Sequence, residues 1–351
     1  MSINGRYFNQ LNGVTIKRVA TAFPDGMQLV SNTAVHELLC GPDWEKIFAD
    51  KNYDSDFIKN TLGYESRYWS HVPGTPIVKN ELTAADLMIK AAQKVIRESN
   101  ILTDTIDMVI SVTVTSPFYT NSTGTYVAGK LGLSCPAMEI KTGCGSVIYA
   151  MVLAAQFIRS GARNVLITAG ETPTKVTGKE GNLIYAVGDA GAALILTRAN
   201  DNSGIGAAFL GADGTYSGVM GSQGLLPPNQ DDLIANGYDM KMSKETDQII
   251  QQAWQEIPQL LYQSSGLTKS DIDYLIPHQV NKKILDYAIA SSGIARENTV
   301  DVIKDYANCG SVGVLLALDA AYQQWEIIQN KKLMLLAVGG GISYGGLILN
   351  V

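Results

Sequence analysis

A single cysteine, Cys144, lies between two glycines in the segment TGCGS, directly before an apolar segment with helical periodicity. A thiol at the start of a helix faces unpaired backbone N–H groups and the positive end of the helix dipole, so its thiolate is favoured and its pKa falls. The same N–H groups can hydrogen-bond an oxyanion that forms on a thioester carbonyl. The segment therefore predicts a nucleophilic cysteine, and the alternative is a small apolar residue at the base of a core helix.

A histidine and an asparagine occupy two further strand-to-helix junctions. His278 follows a short apolar strand in the segment IPHQVN, and Asn308 precedes an apolar helix in the segment YANCGSVG. Ligands of open α/β sheets bind at the carboxyl ends of the strands, where His278 is expected. Taken alone, His278 could be a core residue and Asn308 a turn residue. Together with Cys144, the two junctions predict one site.

Composition limits the classes of function. The chain has 351 residues, a net charge of −6 and 46% hydrophobic residues. An acidic protein does not suit general nucleic-acid binding, and the apolar segments are too short to cross a bilayer. The N-terminus lacks the apolar core of a secretory signal, so we expect a cytoplasmic protein.

The cysteines and histidines show no metal-site spacing. The chain has no CxxC pair, and its three histidines are scattered, so no metal is expected. Cys40 and Cys135 are expected to be packed thiols. For Cys309, next to Asn308, a site-lining role and a packing role both stay open.

Helices and strands alternate in the first half of the chain. Helices are predicted at 83–99, with Thr83 as N-cap, and at 147–160, closed by Gly161. Buried strands are predicted at the segments 108–114, 137–140, 164–169 and 190–197.

The second half repeats this pattern after residues 199–242, which are read as a loop-rich connection with little strand. Helices are predicted at 243–264 with Ser243 as N-cap, at 281–291 and at 312–328, and strands at 272–277, 333–338 and 347–351. Apolar strands separated by helices predict an α/β fold with largely parallel sheets covered on both faces. The predicted halves are 1–198, which carries the Cys, and 199–351, which carries the His and Asn.

The segments TGCGSVIYA, IPHQVNKKI, YANCGSVGV and GGGISYGG resemble the β-ketoacyl-acyl carrier protein synthase III family of the thiolase superfamily. The resemblance implies the thiolase-like five-layered α-β-α-β-α fold, built from two duplicated halves, and a homodimer. It assigns Cys144, His278 and Asn308 as the catalytic residues. It also assigns the backbone N–H groups of Cys144 and Gly340 as the oxyanion hole.

The resemblance further implies a reaction. Cys144 takes an acyl group from a coenzyme A or acyl carrier protein thioester. A malonyl-type thioester then loses CO₂ while neutral His278 and Asn308 hold the enolate oxygen, and the enolate attacks the acyl-cysteine. No cofactor is needed, and the β-ketoacyl product serves fatty-acid biosynthesis or specialised products such as polyketides, pyrones or quinolones.

A loop with Phe118, Tyr119 and Thr120 is implied to cross the dimer interface and line the acyl pocket of the other subunit. Some relatives that condense without decarboxylation carry a Glu in this loop. No acidic residue lies between Ser111 and Tyr126, which favours decarboxylative condensation.

The carrier or coenzyme A entrance is predicted at Arg67, in the segment NTLGYESR, and at Lys282 and Lys283, with Lys269 as a further member of a basic patch. The Trp that the family carries upstream of this segment is replaced by Phe57. This departure favours a relative from specialised metabolism. It leaves open whether the adenine of coenzyme A stacks on an aromatic side chain at this entrance.

Three alternatives stay open from the sequence. A papain-like cysteine protease also uses Cys, His and Asn in this order, but its Cys lies near the mature N-terminus. The same fold could transfer the acyl group to an alcohol or an amine. A non-catalytic subunit of a condensing heterodimer usually lacks the Cys, which is present here.

Overall fold

The computed structural model describes residues 3–25, 29–52, 54–179, 183–199, 203–218, 220–243, 246–324 and 328–351. The strands in chain order are β1 (Arg6–Phe8), β2 (Val14–Ala22), β3 (Val30–Ser31), β4 (Ser66–Arg67), β5 (Ile106–Val112), β6 (Ala137–Ile140), β7 (Asn164–Glu171), β8 (Ala190–Arg198), β9 (Gly204–Ala212), β10 (Met220–Ser222), β11 (Met240–Met242), β12 (Tyr274–Pro277), β13 (Lys332–Gly339) and β14 (Ser343–Asn350). The α-helices in chain order are α1 (Asn32–Cys40), α2 (Trp44–Asp50), α3 (Ala84–Ser99), α4 (Thr123–Lys130), α5 (Ser146–Arg159), α6 (Leu183–Ala186), α7 (Gln230–Ile234), α8 (Thr246–Ser265), α9 (Lys282–Ser292), α10 (Ile303–Tyr306) and α11 (Gly313–Tyr322).

Two five-stranded sheets form the frame, with the orders β2-β8-β7-β5-β6 and β1-β9-β14-β13-β12. In the first sheet β5 is parallel to β6 and β7, whereas β8 is antiparallel to β7 and β2. In the second sheet β12 and β13 are parallel and the other pairs are antiparallel. The prediction of largely parallel sheets is therefore wrong. A short turn joins β13 to β14 and forces antiparallel pairing. The apolar composition of the strands indicates that they are buried but does not indicate their direction.

Helices and sheets alternate in five layers. The outer helix α3 packs on the first sheet, and α8 packs on the second sheet beside α9. Between the sheets lie α5 and α11, each in contact with strands of both. These inner helices are apolar on nearly every side because both faces of their layer are covered. The predicted α-β-α-β-α arrangement is confirmed.

Residues 199–242 contain more regular structure than the sequence indicated. The nine-residue β9 is an interior strand of the second sheet, paired with β14 and β1. Its composition, GIGAAFLGA, has one β-branched residue, Ile205, and is otherwise rich in small residues. One of them lies at a close contact, since a Cβ at Gly211 would lie 2.2 Å from the carbonyl oxygen of Asn4. The predicted division after residue 198 falls between β8 and β9, but β1 crosses it to join the second sheet.

Several predicted helix boundaries are confirmed. Thr83 caps α3 through a capping box with Asp86, and α5 begins two residues after Cys144. The last inner helix is shorter than predicted, since α11 ends at Tyr322 and residues 325–327 of the predicted segment lie outside the described residues. Likewise, residues 244 and 245 of the predicted helix 243–264 lie outside them. Within the described part of the chain, no helix combines the length and apolar character needed to cross a membrane.

Candidate active site

Cys144 lies in the turn between β6 and α5, where the sequence predicted it. Gly143 adopts a left-handed conformation with φ of 63°, which glycine permits without steric cost. The hydroxyl of Ser146 closes the turn: it accepts from the N–H of Thr142 at 2.8 Å and donates to the carbonyl of Gly143 at 2.6 Å. The chain therefore turns sharply and presents Cys144 just before the helix.

The glycine cluster after β13 packs directly on this turn. A Cβ at Gly143 would lie 2.5 Å from the carbonyl oxygen of Gly340, and a Cβ at Gly339 would lie 2.2 Å from the backbone nitrogen of Cys144. Only glycines allow two backbones to approach so closely. This contact places Gly340 beside the nucleophile, as an oxyanion hole shared by the two residues requires.

A substitution in this contact should be unusually costly. We expect Gly143→Ala to lower the free energy of unfolding by about 2–4 kcal/mol. Alanine is strained in the left-handed conformation, and its Cβ would also clash with Gly340, so both costs contribute. Gly132→Ala is the matched control, since Gly132 has φ of 68° and no heavy atom within 4 Å of its Cβ position. It should cost only about 1–2 kcal/mol. Denaturant unfolding of both variants measures the difference, and equal losses would contradict the close contact.

The pKa of Cys144 differs from the prediction. Burial raises the pKa of the Cys144 thiol to about 12, the carboxylate of Glu171 adds to the rise, and a hydrogen bond from the backbone N–H of Cys144 opposes it. Desolvation therefore outweighs the stabilisation that a helix start gives to a thiolate. The side chain of Cys144 therefore rests as a thiol, and the predicted nucleophilic role requires the loss of its proton during the reaction.

His278 follows β12 at the carboxyl end of the strand. Its backbone N–H donates to the carbonyl of Leu336 at 2.7 Å and so continues the parallel pairing with β13. The side chain of Gln279 fixes the turn, because its amide nitrogen donates to the carbonyl of Val300 at 3.1 Å and its oxygen accepts from the N–H of Val302 at 3.0 Å. The Gln of the Pro-His-Gln segment is thus a structural support for the histidine.

The imidazole of His278 is buried and available for hydrogen bonding. The residue is 1% exposed, and neither ring nitrogen has a hydrogen-bond partner among the described residues. The ring lies against the start of α11, where a Cβ at Gly313 would be 2.5 Å from Nδ1. Burial lowers the pKa of His278 to about 3. The expected neutral imidazole is therefore present, with one donor and one acceptor nitrogen.

Asn308 lies in the turn that precedes α11. Its backbone N–H donates to the carbonyl of Ala186 at 2.7 Å, and its carbonyl accepts from the N–H of Gly188 at 3.1 Å. Its side-chain oxygen accepts from the N–H of Gly310 at 2.9 Å. These three hydrogen bonds fix both the backbone and the amide of Asn308.

The three predicted catalytic residues belong to one region. His278 ends β12, and the glycine cluster that contacts the Cys144 turn follows β13, the parallel neighbour of β12. His278 also contacts the first residue of α11, just after the turn that carries Asn308. The fold therefore brings together elements that lie far apart in the chain.

A cavity of about 1010 Å³ opens beside Asn308. Its lining includes Leu62 and Tyr64, from the segment that the sequence assigned to the entrance, and Asn281 at the start of α9. It also includes Lys179 and Lys241, which sequence reasoning missed because each is an isolated lysine in a loop-rich segment. Of the three predicted catalytic residues, Asn308 lines this cavity, whereas Cys144 and His278 do not.

Arg67 does not lie at this entrance, so that prediction is wrong. The residue is 0% exposed, because β4 pairs with β3 and turns the side chain inward. Its guanidinium donates to the side-chain oxygen of Asn32 at 2.8 Å, and to the carbonyls of Tyr185 at 2.8 Å and Val30 at 3.3 Å. Burial lowers the pKa of Arg67 to about 10. The arginine supports the cavity wall from behind.

Lys282 and Lys283 are exposed in the first turn of α9, next to Asn281 of the cavity wall. Lys282 pairs with Asp286 at 3.1 Å, and the ammonium of Lys283 lies 5.9 Å from the ring centre of Tyr287. Lys269 lies beside Gly293 at the other end of this helix, about 15 Å away for a helix of this length. It is therefore not part of the same patch, whereas an entrance role for Lys282 and Lys283 stays a prediction.

The predicted acyl-pocket loop lies elsewhere on the surface. Phe118, Tyr119 and Thr120 line a cavity of about 800 Å³ together with Leu226 and Pro228. Tyr119 is 57% exposed. This cavity is distinct from the one beside Asn308, and the role of the loop at a dimer interface stays a prediction.

Cys309 packs next to the site. Its thiol donates to the carbonyl of Tyr306 at 3.2 Å, and a Cβ at Gly188 would lie 3.1 Å from its sulfur. The packing role that the sequence left open is the one these contacts support. In the described part of the chain, no group of three or more His, Cys, Asp or Glu side chains is placed to hold a metal ion.

Family models and a relative aligned over nearly its full length match this chain. The model of the 3-oxoacyl-[acyl-carrier-protein] synthase III family matches residues 138–214, and the model of its C-terminal part matches residues 262–351. A β-ketoacyl-[acyl-carrier-protein] synthase III of Coxiella burnetii (strain CbuK_Q154) is 30% identical over 329 residues, which are 93% of this chain and 98% of the relative.

Solved structures share the fold. The 3-oxoacyl-[acyl-carrier-protein] synthase III from Aquifex aeolicus VF5 has a TM-score of 0.81 at 22% identity, over 97% of this chain and 100% of the other. The priming β-ketosynthase of the R1128 polyketide pathway has a TM-score of 0.81 at 21% identity, over 97% and 96%. Matching sequence segments, a relative aligned over nearly its full length and a common fold lead to one conclusion. The chain belongs to the β-ketoacyl-[acyl-carrier-protein] synthase III family of thiolase-fold acyltransferases.

Proposed function

We propose that this protein performs a decarboxylative Claisen condensation between an acyl group held on Cys144 and a malonyl-type thioester. The observation that carries the proposal is the environment of His278. A buried, neutral imidazole without a hydrogen-bond partner among the described residues lies against the start of α11, next to the turn that carries Asn308. Such a nitrogen costs free energy unless a substrate uses it.

In the first half-reaction, the sulfur of Cys144 attacks the carbonyl carbon of an acyl thioester. As the carbon–sulfur bond forms, the thiol proton becomes strongly acidic and passes to the neutral imidazole of His278, which is too weak a base to deprotonate the resting thiol. The N–H groups of Cys144 and Gly340 hold the oxyanion. When the intermediate collapses, the carbon–sulfur bond of the donor breaks, the leaving thiolate takes the proton, and the acyl group stays on Cys144.

In the second half-reaction, a malonyl-type thioester binds beside the acyl-cysteine. Its carboxyl carbon leaves as CO₂, and the electron pair of the broken bond forms an enolate. His278 and Asn308 donate hydrogen bonds to the enolate oxygen. The enolate carbon attacks the acyl carbonyl, the thioester bond to Cys144 breaks, and one proton from the medium restores the thiol.

The proposal extends to the acyl donor, the oligomeric state and the cellular compartment. The cavity beside Asn308 suits the extended arm of an acyl carrier protein or of coenzyme A, and its lysines, with Lys282 and Lys283 nearby, suit an acidic carrier. A homodimer in the cytoplasm that makes fatty-acid or polyketide-type precursors, including those of pyrones and quinolones, stays a prediction.

The reaction is tested by supplying an acyl thioester and then malonyl thioester labelled in its free carboxyl carbon. We expect labelled CO₂ and a β-ketoacyl thioester in equal amounts. Parallel reactions contain an alcohol or an amine in place of the malonyl compound. An ester or amide product, with no CO₂ released from malonyl thioester, would replace the proposal with acyl transfer to those acceptors.

A further inference from the structure

Glu171, the last residue of β7, has a carboxylate that is fully enclosed by the protein. The residue is 0% exposed. Among the described residues its hydrogen-bond partners are neutral; burial raises the pKa of Glu171, and the hydrogen bonds from Ser311, Thr115 and Val114 lower it. A buried carboxylate without a counter-ion is costly unless several hydrogen bonds compensate for the lost water, so its contacts show what it holds together.

One set of contacts reaches the end of β5. The carboxylate accepts from the N–H of Val114 at 3.0 Å and of Thr115 at 3.2 Å, and from the hydroxyl of Thr115 at 2.7 Å. The hydroxyl of Thr113 is a more distant donor at 3.3 Å. This segment leads directly into the loop with Phe118. Glu171 therefore fixes the base of the predicted acyl-pocket loop.

A second set of contacts reaches the other half of the chain. The hydroxyl of Ser311 donates to the carboxylate at 2.5 Å, and the N–H of Ser311 lies at 3.4 Å. Gly310 has φ of 54°, and a Cβ there would lie 3.1 Å from Cγ of Glu171. The N–H of Gly310 in turn holds the side-chain oxygen of Asn308. The same turn thus connects Glu171 to the amide of Asn308.

The carboxylate also acts on the nucleophile through its charge. Among the described titratable groups, Glu171 is the one whose charge raises the pKa of Cys144, in addition to burial. Glu171 and Asp189 together also raise the pKa of Cys309.

We propose that Glu171 is a positioning residue that joins the turn of Asn308 to the base of the acyl-pocket loop, and that its carboxylate acts electrostatically on Cys144. The assignment of Asn308 and the loop to catalysis rests on the proposed function. We do not assign proton transfer to Glu171, because its oxygens already accept hydrogen bonds from donors in two segments and are not free to take a proton.

Three variants separate the two parts of the proposal. Glu171→Gln removes the charge and sets an amide N–H₂ against backbone donors. Glu171→Asp keeps the charge but withdraws the carboxylate from one of its two sets of donors. Asp189→Asn is the matched control, because Asp189 is an equally buried carboxylate, bound by Ser70 and Thr174, whose charge is not among the causes that shift the pKa of Cys144.

The first readout is alkylation of Cys144 by iodoacetamide at pH 9, followed by peptide mass spectrometry, which needs no acyl substrate. Because the thiolate is the reactive form, Glu171→Gln should raise the rate on the order of tenfold. Glu171→Asp and Asp189→Asn should leave it near the wild-type rate. An unchanged or slower rate in Glu171→Gln, or the same increase in Asp189→Asn, overturns the electrostatic part.

The second readout is the rate of condensation. Both Glu171 variants should lose kcat on the order of ten- to hundred-fold, because small displacements of Asn308 are costly, while KM for the acyl donor changes little. Unchanged kcat in Glu171→Asp overturns the positioning part. If the protein proves to transfer acyl groups to another acceptor, the alkylation result still tests the electrostatic part, because it does not depend on the acceptor. Should Glu171→Gln fail to fold, Glu171→Ala replaces it in the alkylation experiment, and kcat of Glu171→Asp relative to the wild type decides the positioning part.

Discussion

Cys144→Ala should abolish condensation, with kcat lowered on the order of 10⁴-fold or more, as expected when a nucleophile is removed. The physical reason is that no other described thiol meets the same requirements. Cys144 lies just before α5, and its turn contacts the Gly339-Gly340 backbone. Release of CO₂ from malonyl thioester and formation of the β-ketoacyl product measure the loss.

Cys309→Ala is the control for this prediction. Cys309 is also buried, and its thiol is engaged by the carbonyl of Tyr306. Burial raises its pKa well above the usual value, and Asp189 and Glu171 add to the rise. We therefore expect Cys309→Ala to retain condensation. Loss of activity in Cys309→Ala together with its retention in Cys144→Ala would reverse the assignment of the nucleophile.

His278→Ala should lower the rate of condensation by about 10²–10⁴-fold, the range expected for a residue that transfers a proton and stabilises charge. Both half-reactions should slow, since His278 accepts the proton of Cys144 and then donates to the enolate. Asn308→Ala should slow the second half-reaction and leave acylation of Cys144 nearly unchanged. Single-turnover measurements of each half-reaction distinguish the two variants.

The pH dependence adds a second check on His278. Its pKa is lowered to about 3, so the imidazole gains a proton only as the pH falls towards that value. The wild-type rate should therefore show no acid limb near pH 6.5, the ordinary value for histidine. A limb at that pH that disappears in His278→Ala would show that His278 titrates at its ordinary pKa and would contradict the lowered value. His71→Gln, which alters another buried histidine outside the site, should affect stability and not the profile.

The sequence contains enough to place the predicted catalytic residues at their turns. Glycines on both sides of Cys144, the Pro-His-Gln segment and the small residues after Asn308 are local signals, and each marks a junction that the structure confirms. Local patterns do not, however, report how deeply a group is buried. The helix start predicted a lowered pKa for Cys144, but desolvation and Glu171 raise it.

The same limit explains the other differences. Arg67 sits in a segment that lines the cavity through Leu62 and Tyr64, yet pairing of β4 with β3 turns its own side chain inward. Glu171 gave no signal in the sequence, because its donors come from segments that are distant in the chain. Strand directions depend on connections and not on composition. Such features arise from tertiary packing, which residue patterns do not encode.

The central claim is that Cys144 carries the acyl group, and intact-mass spectrometry tests it most directly. The protein is incubated with a series of acyl thioesters of increasing chain length, and the mass of the whole chain is measured before and after addition of malonyl thioester. We predict one added acyl group, mapped to the peptide of Cys144, that disappears with malonyl thioester and never forms in Cys144→Ala. An adduct that persists in Cys144→Ala, or that maps to Cys309, would contradict the account.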